Sequence, residues 1–229
     1  MSRVRLFAFA IAVVLSASAT AAADDAVKPE PTAPPVNPAI HVSSGDSWTY
    51  NIRDDVTGEA KGTITFEITK VSDAEIETRV TQLKLATNGV MTNAEIFDAR
   101  WRLKDNGKIV FQPYLAATGI PEDLQVGKSW SVKYETIRKG AGLTREVTGL
   151  GKVDAWERVT LPNGTAYDAF KIEVSGTLMA ATPRKHEMRT IMWFAPAVNR
   201  LVKRIDESRD NGKLQDATEQ TLGEYKPAK

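Results

Sequence analysis

The chain has 229 residues, no cysteine and nearly balanced charge, with 30 basic and 29 acidic residues. A nucleic-acid-binding protein normally carries a basic excess, and none is present, so we expect no nucleic-acid partner. Without disulfides the fold must be stabilised by core burial, and a domain of about 200 residues can bury about 70% of the surface that its unfolded chain exposes.

The first 23 residues have the pattern of a secretory signal peptide. Arg3 and Arg5 supply positive charge, residues 6–16 form an apolar run, and Ala23 ends an A-x-A cleavage site. The run is too short for a spanning helix, which needs about 20 residues. We therefore expect cleavage after Ala23 and a periplasmic protein that does not span the membrane. Because the chain has no cysteine, we expect no lipid anchor on an N-terminal Cys.

Residues 24–41 are predicted to be a disordered, proline-rich tether. Proline removes a backbone donor and favours an extended chain. The stretch contains five of the chain's eleven prolines, namely Pro29, Pro31, Pro34, Pro35 and Pro38. It is either a plain disordered N-terminus or a tether that lets the folded body stand off from a membrane or partner.

Residues 42–226 are predicted to form a single all-β domain. Apolar and polar residues alternate at 64–68, 97–103, 130–134 and 170–174, and a period of two indicates strands with one buried face. Asn-Gly pairs between the runs predict hairpins. We therefore predict a large antiparallel meander of about nine to eleven strands, curved into a half-barrel or open barrel. Little helix is expected, with 91–96 and 114–124 as short candidates.

A transmembrane barrel is the alternative architecture for an exported β chain. Such barrels place an apolar face toward lipid and carry aromatic girdles at both interfaces. The residues that alternate with the apolar ones here include Arg100, Glu173 and Arg204, which we assign to a solvent-exposed face. The chain also ends without the usual terminal aromatic residue, so a soluble periplasmic domain is favoured.

No group of residues predicts catalysis or metal binding. His41 and His186 are the only histidines, whereas a zinc site needs three or four ligands and a catalytic triad needs a positioned histidine. The sequence has no G-x-S-x-G motif. We therefore predict no catalytic residues, no metal and no cofactor, and favour a protein that is not an enzyme.

Aromatic residues and one apolar loop supply the candidate ligand site. Tryptophans recur at strand starts and centres, where they either fill the core or line a cavity for a lipid or acyl chain. The loop at 113–126 carries apolar residues between prolines, which predicts either a plug for the end of the barrel or a lid over a site. The predicted ligand-binding residues are Trp48, Trp101, Tyr114, Leu115, Ile120, Trp130 and Trp193.

Several short segments carry a resemblance to known proteins. They are IMWFAP at 191–196, VNRLVKR at 198–204, and the G-x-S-W strand entries at 45–48 and 127–130. Over roughly 45–225 the chain resembles uncharacterised exported bacterial β proteins, including the TapB-like proteins and related periplasmic domains of unknown function. The resemblance implies a half-barrel similar to that of periplasmic lipoprotein carriers, with no catalytic residues. Asn199 stands where glycine is common, and asparagine also tolerates the left-handed conformation.

Two functions stay open at this point. In the first, the protein is a periplasmic carrier or sensor that holds an apolar or lipid-like ligand in the concavity of its sheet. In the second, it is an envelope protein–protein interaction module that docks a partner by a sheet edge or face and has no ligand. An uncharacterised hydrolase is the less favoured third alternative.

Overall fold

The computed structural model describes residues 30–113, 119–179 and 185–229. The predicted signal peptide, the start of the predicted tether, Tyr114 and Leu115 lie outside these ranges. Within them, no helix has the length and apolar character needed to cross a membrane.

The described residues form strands with two short 3-10 helices between them. The strands are β1 (Ser47–Asp54), β2 (Ala60–Val71), β3 (Ile76–Lys84), β4 (Gly89–Phe97), β5 (Leu103–Asp105), β6 (Ile109–Gln112), β7 (Ser129–Arg138), β8 (Leu143–Thr160), β9 (Ala166–Met179), β10 (Lys185–Ala195), β11 (Arg200–Asp210) and β12 (Lys213–Lys226). The 3-10 helices are Leu85–Thr87 and Pro196–Val198. The predicted antiparallel meander with little helix is confirmed, although 91–96 lies within β4 and is not helical.

The sheet closes into a barrel. Each strand pairs with its neighbours along the chain, and β1 also pairs with β12, from Ser47 opposite Lys226 to Asp54 opposite Thr218. This pairing satisfies the backbone groups that two free edges would leave exposed. The expected half-barrel or open barrel is therefore corrected to a closed barrel. Alternation within each strand does not encode the pairing of the first strand with the last, so closure could not be predicted from the sequence.

Two of the asparagine turns, at Asn199 and at Asn211, adopt left-handed backbone conformations. Asn199, between the second 3-10 helix and β11, has φ of 53°, as expected where glycine is common. Asn211 and Gly212 have φ of 48° and 79° and join β11 to β12, which matches a two-residue hairpin with both φ angles positive.

The N-terminal segment packs against one end of the barrel, the end at which β1 begins and β12 finishes, here called the near end. Its Ile40 and Val42 contact the hydrophobic core. Its hydrogen bonds to the barrel join Thr32 to Asp168, Asn37 to Leu124, and His41 to Asn199. Residues 30–42 are thus in contact with the folded body, while the tether and the domain boundaries stay predictions.

The hydrophobic core is concentrated toward the near end. Trp48, Phe170 and Phe194 are fully buried there, and Trp48 donates a hydrogen bond from Nε1 to the carbonyl of Val198 at 2.9 Å. Its indole also stacks on Tyr225, with ring centroids 5.3 Å apart. Large aromatic side chains supply much of the burial in a core of this kind.

Candidate ligand-binding site

Two neighbouring cavities lie inside the barrel, each lined by strands from different parts of its wall. The aromatic cavity has a volume of about 250 Å³ and is lined by Ile64, Phe66, Glu95, Phe97, Trp101, Leu103, Gly119, Ile120, Met192, Phe194, Arg200, Leu201, Arg204 and Gln220. The polar cavity has a volume of about 230 Å³ and is lined chiefly by Val132, Tyr134, Val147, Val174, His186, Met188, Thr190, Arg204, Asp206 and Ser208. Arg204 contributes to both linings and marks their boundary.

Arg200 is the buried cation of the aromatic cavity. Its guanidinium carbon lies 3.9 Å from the ring centroid of Trp101 and 4.1 Å from that of Phe66. The residue is 7% exposed, and its Nη1 atom has no hydrogen-bond partner in the described ranges. Cation–π contacts of a desolvated arginine are worth about 2 kcal/mol or more, which helps to explain how this charge is tolerated.

Two acidic groups, Tyr50 and Glu95, lie near Arg200 and favour its charged form. Burial raises the pKa of the Tyr50 hydroxyl to about 12, against the opposing charges of Arg200 and Arg204, so that hydroxyl is neutral. It donates to the carbonyl of Leu201 at 2.8 Å. Burial also raises the pKa of Glu95, with Arg200 acting in the opposite direction. Burial lowers the pKa of Arg200 itself, while Tyr50 and Glu95 favour its charge.

A turn organised by Asp98 positions Trp101. The Asp98 carboxylate accepts hydrogen bonds from the backbone amides of Arg100 and Arg102, both at 2.9 Å, and from Nε of Arg102 at 2.6 Å. Trp101 adopts a positive φ of 58°, which is uncommon for a bulky residue and must be supported by its surroundings. Its Nε1 donates to the carbonyl of Asn199 at 2.8 Å. The turn therefore holds the indole beside Arg200.

Residues 119–121 pack on the same turn. The amide of Ile120 donates to the carbonyl of Arg100 at 2.9 Å, and the Arg100 guanidinium donates to the carbonyl of Pro121 at 2.9 Å and 2.6 Å. Gly119 has φ of 140°, and a side chain there would lie 2.7 Å from the Arg102 backbone. Ile120 is consequently fixed in the wall of the aromatic cavity, 1% exposed.

Arg204 differs from Arg200 because it has its own carboxylate. Its Nε and Nη2 donate to the two oxygens of Asp206 at 2.6 Å and 2.8 Å, and Thr190 donates to Asp206 at 2.8 Å. Burial opposes the charge of both groups, but their mutual attraction outweighs it. As a result the pKa of Arg204 is raised and that of Asp206 is lowered.

The polar cavity also contains a histidine–carboxylate contact. Nδ1 of His186 lies 2.5 Å from Oδ1 of Asp210, on the neighbouring strand. Ser208 lines the same cavity, but in the described part of the chain no hydrogen bond joins it to His186. The described residues of the chain include no cluster of three His, Cys, Asp or Glu side chains able to hold a metal ion.

The predicted ligand-binding residues occupy different places. Trp101 and Ile120 line the aromatic cavity, and Trp48 packs behind it, edge-on to Trp101 at 5.5 Å.

Trp130 lines neither cavity; its ring lies over Gly151, where an added side chain would approach it to 2.2 Å. Trp193 donates to Glu157 at 2.6 Å and lies beside Lys171 and Lys203. Tyr114 and Leu115 fall outside the described residues.

The sequence reasoning missed the two arginines. Arg204 was assigned to a solvent-exposed face, but it lines both interior cavities. In a closed barrel the polar face of a strand can face the lumen as readily as the solvent. A usable signal existed, since Arg200 and Arg204 are separated by an even number of positions and so fall on the same face of a regular strand. A bulge between Phe194 and Trp193 of β10 also shifts the pairing with β11 here, and bulges re-aim side chains.

Solved structures of three bacterial proteins are similar to this barrel. A protein of Bacteroides fragilis, assigned as exported and given a YmcC-like fold, is 13% identical, with a TM-score of 0.52 over 82% of this chain and 98% of that one. A protein of Parabacteroides distasonis, assigned as a lipoprotein, is 15% identical, with a TM-score of 0.53 over the same shares. The hypothetical lipoprotein YmcC of Escherichia coli is 12% identical, with a TM-score of 0.43 over 80% and 85%.

The first of these likenesses identifies the fold. The chain is similar in fold to the Bacteroides fragilis protein, whose fold is described as YmcC-like. No family model matches the sequence, and no curated protein matches it significantly. At this identity the likeness concerns architecture alone. The expected resemblance to uncharacterised exported β proteins is supported at the level of the YmcC-like fold, and the narrower resemblance to TapB-like proteins is not confirmed.

Proposed function

We propose that this is an exported envelope protein that binds a small apolar or amphipathic molecule inside its barrel, without catalysing a reaction on it. The observation that carries the proposal is the aromatic cavity of about 250 Å³, enclosed between strands and lined mostly by apolar side chains. Ligand sites are typically concave and mostly apolar, with a few placed polar groups. Here those groups are Glu95, Arg200, Arg204 and Gln220.

The size of the cavity supports a small ligand. An apolar cavity of about 150 Å³ already accepts benzene in another protein, and small-molecule pockets begin near 300 Å³. The aromatic cavity alone lies between these values. Because the polar cavity adjoins it at Arg204, a medium-length chain could extend from one to the other.

Export is supported by two independent features. The N-terminal 23 residues have the pattern of a signal peptide, and two proteins with a similar structure are assigned as an exported protein and a lipoprotein. We place the mature protein in the periplasm, with cleavage after Ala23. Fractionation of cells and N-terminal sequencing of the purified protein test both statements.

Binding is tested with decan-1-ol, an uncharged amphiphile, and tryptophan fluorescence, because Trp101 lines the cavity. We expect saturable binding to the wild type. Ile64 is half-buried and lines the cavity, so Ile64→Phe should fill part of it and weaken binding about tenfold or more. Leu150→Phe is the matched control, since Leu150 is 64% exposed and contributes to neither interior cavity.

The results separate ligand binding from the interaction-module alternative. Loss of binding in Ile64→Phe but not in Leu150→Phe supports the proposal. A wild-type protein that takes up no decan-1-ol, and that leaves its own periplasm without any small molecule in native mass spectrometry, contradicts it.

A further inference from the structure

We propose that the ligand of the aromatic cavity carries an anionic end group, a carboxylate or a phosphate, and that Arg200 binds it. The inference rests on the proposed function, because it names the chemical class of the molecule held in the same cavity. The observation behind it is a buried guanidinium that faces the cavity with an unused donor.

Among the described residues Arg200 has the Tyr50 hydroxyl as a hydrogen-bond partner, but it lacks the carboxylate partner that a buried arginine ordinarily has. Arginine is rarely buried unless it is paired, yet Arg200 is 7% exposed and forms no ion pair within the described ranges. Its Nη1 atom is also without a hydrogen-bond acceptor there. Leaving a charged donor unsatisfied is costly, and a ligand oxygen in the cavity would remove that cost.

Arg204 provides the internal comparison. It lies four residues further along β11 and contributes to the same cavity, but Asp206 already accepts two of its hydrogen bonds. An anion near Arg204 would therefore meet a guanidinium already paired with a carboxylate, whereas Arg200 has no such pair among the described residues. The structure directs an acidic group toward Arg200.

The aromatic rings around Arg200 contact its guanidinium without supplying a hydrogen-bond acceptor for Nη1. Phe66 and Trp101 lie over it at 4.1 Å and 3.9 Å, as in cation–π contacts. Such contacts use the face of the planar group, while its N–H donors lie in the plane and suit a carboxylate or phosphate. The apolar walls formed by Met192, Phe194 and Ile120 would then hold a hydrocarbon chain.

Two acidic side chains, Glu95 and Tyr50, lie near Arg200 without forming an ion pair with it among the described residues. Glu95 lines the cavity but forms no ion pair with Arg200 in the part of the chain that the structure describes. Tyr50 uses its hydroxyl proton on the carbonyl of Leu201. In the described ranges an entering anion therefore meets no carboxylate already paired with the guanidinium, and burial raises the pKa of Glu95, which makes its charged form less favourable in this cavity.

The test compares decanoate, decyl phosphate and decan-1-ol at pH 7.5 by titration calorimetry. The wild type should bind one or both anions at least about tenfold more tightly than the alcohol, the ratio expected for a charge-assisted hydrogen bond. Tighter binding of decyl phosphate than of decanoate would identify a phosphate head group, and the reverse a carboxylate. Inorganic phosphate alone shows whether the head group suffices without a chain.

Variants assign the preference to Arg200. Arg200→Gln should lower anion affinity far more than alcohol affinity, so that their ratio falls toward one. Arg200→Lys keeps the charge but loses the planar donor pair, and should lower the ratio severalfold. Arg189→Gln is the control: Arg189 pairs with Glu173 outside the two interior cavities, and the ratio should stay at its wild-type value.

Each failure has its own meaning. If the wild type binds the alcohol and the anions equally, the anionic end group is wrong and the proposed function stands. If it binds none of the three amphiphiles, the proposed function itself fails. If Arg200→Gln does not fold, an unchanged ratio in Arg200→Lys overturns the assignment, as does tight binding of inorganic phosphate without binding of either amphiphilic anion.

Discussion

Arg200 and Arg204 lie four residues apart on β11, but their charges are stabilised in different ways. The near half of the barrel interior holds the aromatic cavity, and the polar half holds the polar cavity. On the near side, Arg200 is packed between the rings of Phe66 and Trp101 and lacks a carboxylate partner among the described residues. On the other side, Arg204 is held by both oxygens of Asp206. The barrel thus stabilises one internal charge by pairing it and the other by aromatic contact.

The two halves also contribute differently to stability. The near half is packed with fully buried side chains such as Trp48, Phe170 and Phe194. The polar half contains half-buried groups, including His186 and Asp206, that face a cavity. We infer that the near half supplies most of the folding free energy and that the polar half contributes mainly through its ion pairs.

The largest effect is expected from Trp48→Ala, which should lower the free energy of unfolding by about 3–5 kcal/mol. Trp48 is fully buried, stacks on Tyr225 and donates to the carbonyl of Val198. Urea denaturation measures the change. Leu150→Ala changes a 64% exposed position, so its free energy of unfolding should stay within about 0.5 kcal/mol of the wild-type value. Comparable losses in both variants would contradict the larger contribution of the near half to stability.

The next effect is expected from Asp206→Asn, which should cost about 1–3 kcal/mol at pH 7 because it leaves Arg204 without its charge partner. The pKa of Asp206 is lowered in the folded state, so its stabilisation is complete above the ordinary aspartate pKa of about 3.9 and is lost as the pH falls through the folded-state value. The difference from wild type should therefore narrow below about pH 4. A loss of stability in Asp206→Asn that stays the same at every pH would contradict a stabilising ion pair between Arg204 and Asp206.

Glu95→Gln should show the opposite pH dependence: its stability relative to wild type should increase as the pH rises. Burial raises the pKa of Glu95 in the folded protein, so the ionised carboxylate is less favourable there than in the unfolded chain. Wild type should lose stability relative to the variant as the pH rises from the ordinary glutamate pKa of about 4.3 through the folded value. Urea midpoints at pH 4 and pH 8 test this, and a wild type that loses no stability relative to the variant between these two pH values would contradict it.

The smallest effect is expected from Arg189→Gln. Arg189 donates to both oxygens of Glu173 at 2.8 Å and 3.1 Å, but its side chain is 43% exposed. Exposed ion pairs contribute about 0–1 kcal/mol and weaken with added salt. Thermal denaturation at low and high salt checks this prediction. A loss as large as that of Asp206→Asn would remove the distinction between lumen and surface pairs.

Local features of the fold could be predicted from the sequence because they depend on neighbouring residues. The Asn211-Gly212 hairpin and the left-handed Asn199 follow from backbone preferences alone. Closure of the barrel could not be predicted, since β1 and β12 meet only in three dimensions. The position of Arg204 in the lumen could not be predicted either, because alternation separates two faces of a strand without showing which of them faces the lumen.

The candidate site was predictable only in part. Trp101 was a candidate as a tryptophan among alternating residues, but its place beside Arg200 depends on the Asp98 turn and a positive φ. Ile120 was a candidate as an apolar residue in an irregular loop, and the structure places it in the cavity wall. Arg200 is not among the predicted ligand-binding residues, because a lone arginine in a strand is ordinarily solvent-exposed.

Methyl NMR of protein labelled at its methionines tests the central claim most directly. Met192 lines the aromatic cavity, Met188 lines the polar cavity, and Met91 is 45% exposed. If decanoate binds inside the barrel, its addition should shift the Met192 methyl resonance saturably and leave that of Met91 nearly unchanged. Saturable binding that shifts Met91 but not Met192 would place the ligand outside the aromatic cavity and contradict the account.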